Sequence, residues 1–110
     1  MNTLVLLLAW HALADFPLQG DYLAKFKNPW LPDFGTFGTA GYNRIWHWHM
    51  NAHCLIQAGG VYLITQNLWL AGGEYLAHFA IDYAKCRNWI SFGADQGLHI
   101  ACKFAWWGLA

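Results

Sequence analysis

Charge is what this 110-residue sequence has least of. Asp, Glu, Lys and Arg make up 11% of it, against about 25% in an average soluble domain. Six basic and six acidic residues leave a formal net charge of zero, so no basic surface invites nucleic acid. Cys54, Cys86 and Cys102 are an odd number without zinc-ribbon spacing. They read as reduced packing residues and not as a disulfide framework. No low-complexity tract is present. No segment is a uniform apolar run either, so hydropathy alone undercounts membrane spans in such a chain. The stretch Asn2–Phe16 lacks a basic leader and carries His11 and Asp15. It reads as a retained helix and not a signal peptide.

What is present is apolar and aromatic. Hydrophobic residues reach 57%, with eight tryptophans. With few charges to solubilise one domain of this size, the chain is expected to be an all-α, four-helix transmembrane bundle occupying residues 1–110. A hydrocarbon core about 30 Å thick takes about 20 helical residues. The expected spans are 2–26, kinked at Pro17, then 45–65, 68–85 and 89–109. Lys25, Lys27 and Arg44 flank the first connection, and Lys85 and Arg87 lie in the third. The second, around Gln66–Gly73, has no Lys or Arg. The positive-inside rule then puts the first and third connections in the cytoplasm and both termini outside. Trp30, Trp46, Trp48 and Trp89 fall near one boundary and Trp69, Trp106 and Trp107 near the other. They read as two aromatic belts, or alternatively as core aromatics. The long first connection, Lys27–Asn43, reads either as a lid or as a tether.

Within these segments one pattern recurs. His11 and Asp15, His49 and His53, His78 and Asp82, and Asp95 and His99 are all spaced i, i+4, which places both members on one helix face. Such groups are costly inside an apolar helix unless they meet each other, a metal or water. The Asp–His order reverses in the fourth segment, which runs antiparallel to the third, so depth is conserved. Asp15, His49, Asp82 and Asp95 form an expected outer layer, and His11, His53, His78 and His99 an inner one, about 6 Å apart. One turn deeper, Glu74 and Lys103 are candidates for an ion pair, with Gln57 at the matching position. Lys103 can alternatively snorkel outward. His47 points to another face and is expected at the interface or behind the site.

Facing helices are a known scaffold for metal sites. Imidazole and carboxylate together suit zinc, manganese or iron better than calcium or magnesium. The expected ligands are drawn from His11, His49, His53, His78, His99, Asp15 and Asp82, with zinc the favoured ion. Asp15, Asp82 and Asp95 are the candidate catalytic carboxylates, since an Asp that does not ligate metal can serve as general base. Gln19 and Gln96 are candidate substrate-binding residues.

Four elements also carry a family resemblance: His11…Asp15-Phe16-Pro17-Leu18-Gln19, His49…His53, His78…Asp82…Lys85, and Asp95-Gln96…His99. Together they resemble a family of small bacterial and phage integral membrane proteins of unknown function, distantly similar to membrane-bound metal-dependent hydrolases. The resemblance implies a multi-pass protein of the bacterial inner membrane.

The leading expectation is a membrane-embedded metal-dependent hydrolase acting on a lipid or amphiphilic ester, phosphoester or amide. A metal-ion or proton transporter is the first alternative, since intramembrane His/Asp chains mark such relays. A structural or regulatory membrane protein with a hydrogen-bonded core is the second. A haem-binding bundle is a further one, which the ring of Asp argues against. The expected partner is membrane lipid, and a homo-oligomer is compatible with the sequence.

Overall fold

Among the described residues, three of four helices begin where a short polar side chain takes up the free N–H groups of a first turn. Asn2 opens α1 (Thr3–Asp15), accepting from Leu4 N at 2.9 Å. Asn67 opens α3 (Leu68–Cys86), accepting from Trp69 N at 3.0 Å and Leu70 N at 3.3 Å. Ser91 opens α4 (Phe92–Leu109), accepting from Ala94 N at 3.1 Å. Between α1 and α3 runs α2 (Trp46–Thr65). The computed structural model describes residues 2–16, 27, 30–31, 41–42 and 46–110. Among these, the only strand pairing joins β1 (Trp30–Leu31) to β2 (Gly41–Tyr42), antiparallel. The class is all-α.

Helix α1 stops at Asp15, with Phe16 N–H donating to Ala12 O. The expected continuation of this helix past Pro17, and most of the first connection with Gln19, Lys25 and Arg44, lie outside the described residues. The other two reversals are tight. Gln66 and Asn67 join α2 to α3, with Gln66 in the left-handed region at φ 55°. After α3, Asn88 takes φ 61°, a conformation Asn tolerates better than most residues. There Asn88 N–H donates to Lys85 O and Trp89 N–H to Ala84 O, which satisfies carbonyls of the last turn.

Helix α2 packs on α1 and α3, and α4 packs on α3 and α1, so the four helices close around a common axis. The interior is inverted relative to an ordinary soluble bundle. His53, His78, Gln57 and Lys103 are all fully buried, whereas Trp69 is 89% and Leu63 70% exposed. The apolar core is a small plug of Leu7, Val61 and Leu70, with Ile64 and Trp106 against it. It closes the end where α1 and α3 begin. By hydropathy, no helix among the described residues is long and apolar enough to cross a membrane.

The two helical ends carry different aromatics. Trp46 stacks near Phe79 and Tyr83, with ring centroids 6.0 and 5.5 Å away. Trp106 departs from the expected belt. It is half-buried, and its indole N–H donates inward to Glu74. His47 is exposed, beside Trp46 and Trp48.

Close approach of α1 to α2 depends on Gly60. A Cβ there would fall 1.8 Å from Trp10 Nε1 and 2.0 Å from Cε2, far inside any tolerable contact. Gly60→Ala is therefore expected to destabilise the bundle by about 1–3 kcal/mol, the usual cost of overpacking. In thermal unfolding, Trp10→Ala combined with Gly60→Ala should lose clearly less than the two single losses added. Strict additivity would mean that Trp10 does not set the α1–α2 distance.

Candidate metal centre

Above the apolar plug, the inward faces of all four helices converge. Asp15, His53, His78, Asp82, Asp95 and His99 are all buried, as is His11. The two expected layers interleave. Asp15 Oδ1 lies 3.1 Å from His53 Nε2 and 3.8 Å from His78 Nε2, at the histidine level. His53 Nε2 and His78 Nε2 are 2.9 Å apart. Asp82 Oδ2 lies 3.6 Å from His53 Nε2. Two sets of donor atoms gather closely enough to hold a metal ion: Asp15, His53 and His78, and then His78, Asp82 and His99.

Hydrogen bonds orient most of these rings. A carboxylate oxygen only accepts, so His78 Nδ1–H donates to Glu74 Oε2 at 3.0 Å and the neutral ring turns its Nε2 lone pair towards His53. Glu74 Oε1 in turn accepts from Lys103 Nζ at 2.7 Å and from Trp106 Nε1 at 2.8 Å. Glu74 and Lys103 thus meet in the interior, one turn below the histidines, and Lys103 does not snorkel: it is fully buried. On the opposite side, His11 Nε2–H donates to Gln96 Oε1 at 3.1 Å. The Gln96 amide also donates to Asp15 Oδ2 at 2.7 Å and Asp95 Oδ2 at 3.0 Å. Gln96, the candidate substrate contact, thereby ties α4 to α1. Gln57 donates to Asp15 Oδ1 at 3.5 Å.

One expected site residue stands apart from both sets. His49 is half-buried, one turn from the start of α2, and belongs to neither metal-sized set. Gln19 lies outside the described residues. Conversely, Lys27 joins the centre although its sequence position suggested only a topological marker. It is 3% exposed, and its ammonium pairs with Asp82 Oδ2. No local spacing signals that contact, because 55 residues separate the partners. Trp106 was equally hidden behind its resemblance to a belt residue.

The fold and the site together define a class: a four-helix bundle built around a buried His/Asp centre with apolar flanks. Residues 3–108 match the model of a family described as a protein of unknown function, DUF3307, and the chain belongs to that family. No curated protein and no solved structure matches it.

Proposed function

We propose that the chain is a membrane-embedded, metal-dependent hydrolase whose substrate is a lipid or other amphiphile with an ester, phosphoester or amide bond. The observation that carries this reading is the triangle of Asp15 Oδ1, His53 Nε2 and His78 Nε2. Its edges are 2.9, 3.1 and 3.8 Å. Ligand atoms around a tetrahedral zinc, each about 2.0–2.1 Å from the ion, sit about 3.3 Å apart. Charge supports the same reading. Among the described residues, Asp15, Glu74, Asp82 and Asp95 are the buried carboxylates and Lys27 and Lys103 the buried ammonium groups. The buried carboxylates thus outnumber the buried ammonium groups there, an excess that favours a cation. The Glu74–His78 hydrogen bond is the usual support behind a metal-ligating imidazole. Manganese and iron accept the same donors.

The membrane part of the reading rests on the inverted interior. The polar residues that lower each helix's hydropathy are the buried ones, while Leu63, Leu68, Trp69 and Leu76 face outward. Twenty residues of α2 extend about 30 Å, the thickness of a hydrocarbon core. The positive-inside rule then places Lys85 and Arg87 on the cytoplasmic side and both termini opposite.

A zinc ion bound in the triangle would acidify a bound water to a pKa of about 7 and polarise the bond to be cleaved. Asp82, outside the triangle and 3.6 Å from His53 Nε2, is placed to take the proton from that water. On this reading the water oxygen would add to the acyl or phosphoryl centre as Asp82 takes its proton, and Asp82 would return that proton to the leaving oxygen or nitrogen as its bond breaks.

Elemental analysis of protein purified in mild detergent tests this, alongside hydrolysis of a fatty-acyl or phosphoester probe. The expected result is bound zinc, lost in a His53→Ala, His78→Ala double variant, and hydrolysis that chelation abolishes and zinc restores. Active protein that contains no metal and ignores chelators sinks the reading. One observation favours a second reading, a proton relay. Buried contacts run from Lys27 and Asp82 through His53 and His78 to Glu74 and Lys103. Metal-free protein that carries protons across vesicle membranes would favour it.

A further inference from the structure

We propose that the centre has a second divalent-cation position, built by His99 and Asp95 of α4 beside the Asp15–His53–His78 triangle. The inference rests on the metal-centre reading above and extends it to a two-ion site.

The starting point is an unequal distribution of hydrogen bonds. Among the four interior histidines, His11, His53 and His78 each make at least one. His99 makes none among the described residues: neither Nδ1 nor Nε2 has a partner, although the residue is 1% exposed. A buried imidazole without a hydrogen bond is costly. Packing alone does not select histidine at such a position, because an apolar ring would serve it better.

Its neighbour has the complementary property. Asp95 is 2% exposed, and its Oδ1 is likewise without a hydrogen-bond partner. The two atoms face each other, Nε2 to Oδ1 at 3.3 Å, without the geometry of a hydrogen bond. That separation is the edge expected between two ligands of one tetrahedral ion, about 3.3 Å. The i, i+4 spacing on one helix presents them together. Asp95 Oδ2 is held by Gln96, which leaves Oδ1 for the second position.

Further donors are close. The ligand atoms of His78, Asp82 and His99 lie within 4.8 Å of one another, so His99 has two further donors within reach, and Asp95 joins this set through its contact with His99. The rings of His78 and His99 stack at 4.0 Å. The two positions are not equivalent. The first ion enters a centre where, among the described residues, buried carboxylates outnumber buried ammonium groups, and the second also meets the repulsion of the first, so it binds more weakly.

Equilibrium dialysis of the purified, detergent-solubilised chain against zinc measures this directly. Wild-type protein should bind two ions per chain in two separate steps. Asp95→Asn keeps the side chain's shape and removes only the charged donor. It should lose the weaker step and keep the tighter one, as should His99→Ala. A single step in wild type, or two unchanged steps in Asp95→Asn, overturns the second position while leaving the triangle intact. No binding in wild type overturns the metal centre itself.

Discussion

Replacing Lys103 with methionine is expected to cost about 3–5 kcal/mol of stability, the usual penalty for stranding one member of a buried ion pair. Lys103 is fully buried and Glu74 1% exposed, so water reaches neither group. The ammonium donates to Glu74 Oε1 at 2.7 Å, and the Trp106 N–H donates to the same oxygen at 2.8 Å. Without Lys103, Glu74 keeps a negative charge in an apolar surround with only the neutral N–H groups of Trp106 and His78 as partners. Glu74→Gln strands the cation in the same way. The double variant removes both charges, and its loss should fall well short of the summed single losses, because two neutral groups of similar shape are tolerated where one charge is not. Urea or thermal unfolding of the four proteins gives the cycle. Additive losses would mean that the two groups are energetically independent. Zinc affinity supplies a second readout. Glu74→Gln weakens the acceptor behind His78 Nδ1 and should reduce affinity about 10–100-fold, as loss of a supporting carboxylate does elsewhere.

The i, i+4 pairs made much of this interior legible. Each pair marks an inward stripe, and its reversal between the third and fourth segments already implies an antiparallel neighbour at matched depth. Three of the expected helices match in extent to within a few residues: Trp46–Thr65, Leu68–Cys86 and Phe92–Leu109. The convergence of Glu74 with Lys103 was equally open to sequence reasoning, because both lie one turn beyond a pair. Other features depend on the third dimension. The layers interleave because side chains reach along the axis as well as across it: Asp15 Oδ1 meets His53 Nε2 although the spacing puts Asp15 a turn away from the histidines. His49 carries the right spacing to His53 but sits in the first turn of α2, where the bundle buries it only in part. Gln96 has the chemistry of a substrate contact, and only the fold shows that its amide bonds His11, Asp15 and Asp95 on α1 and α4. Lys27 was least legible. A single lysine near a long connection reads as a topological marker, and only the fold brings it onto Asp82.

That placement gives Lys27→Met the second large expected effect: a fold that depends on zinc. Lys27 is 3% exposed and its ammonium pairs with Asp82 Oδ2, while the same oxygen lies 3.6 Å from His53 Nε2. The ammonium and an ion held by His53 therefore share one carboxylate and repel each other. Two unit charges about 4 Å apart interact by about 4 kcal/mol at an effective dielectric near 20, so Lys27 holds the affinity for a cation down. Removing it has opposite consequences with and without metal. In chelator, Asp82 is stranded and the variant should lose about 3–5 kcal/mol relative to wild type. With zinc present, the ion no longer shares the Asp82 carboxylate with an ammonium and meets one positive charge fewer, and it should bind at least about 100-fold more tightly, or about 2.7 kcal/mol. The difference in melting temperature between zinc and chelator should therefore be much larger for Lys27→Met than for wild type, and direct zinc titration should show the tighter binding. Equal zinc affinity in the two proteins, with a loss of stability that zinc does not repair, would place any bound cation away from Asp82 and leave Lys27 as a purely structural counter-ion.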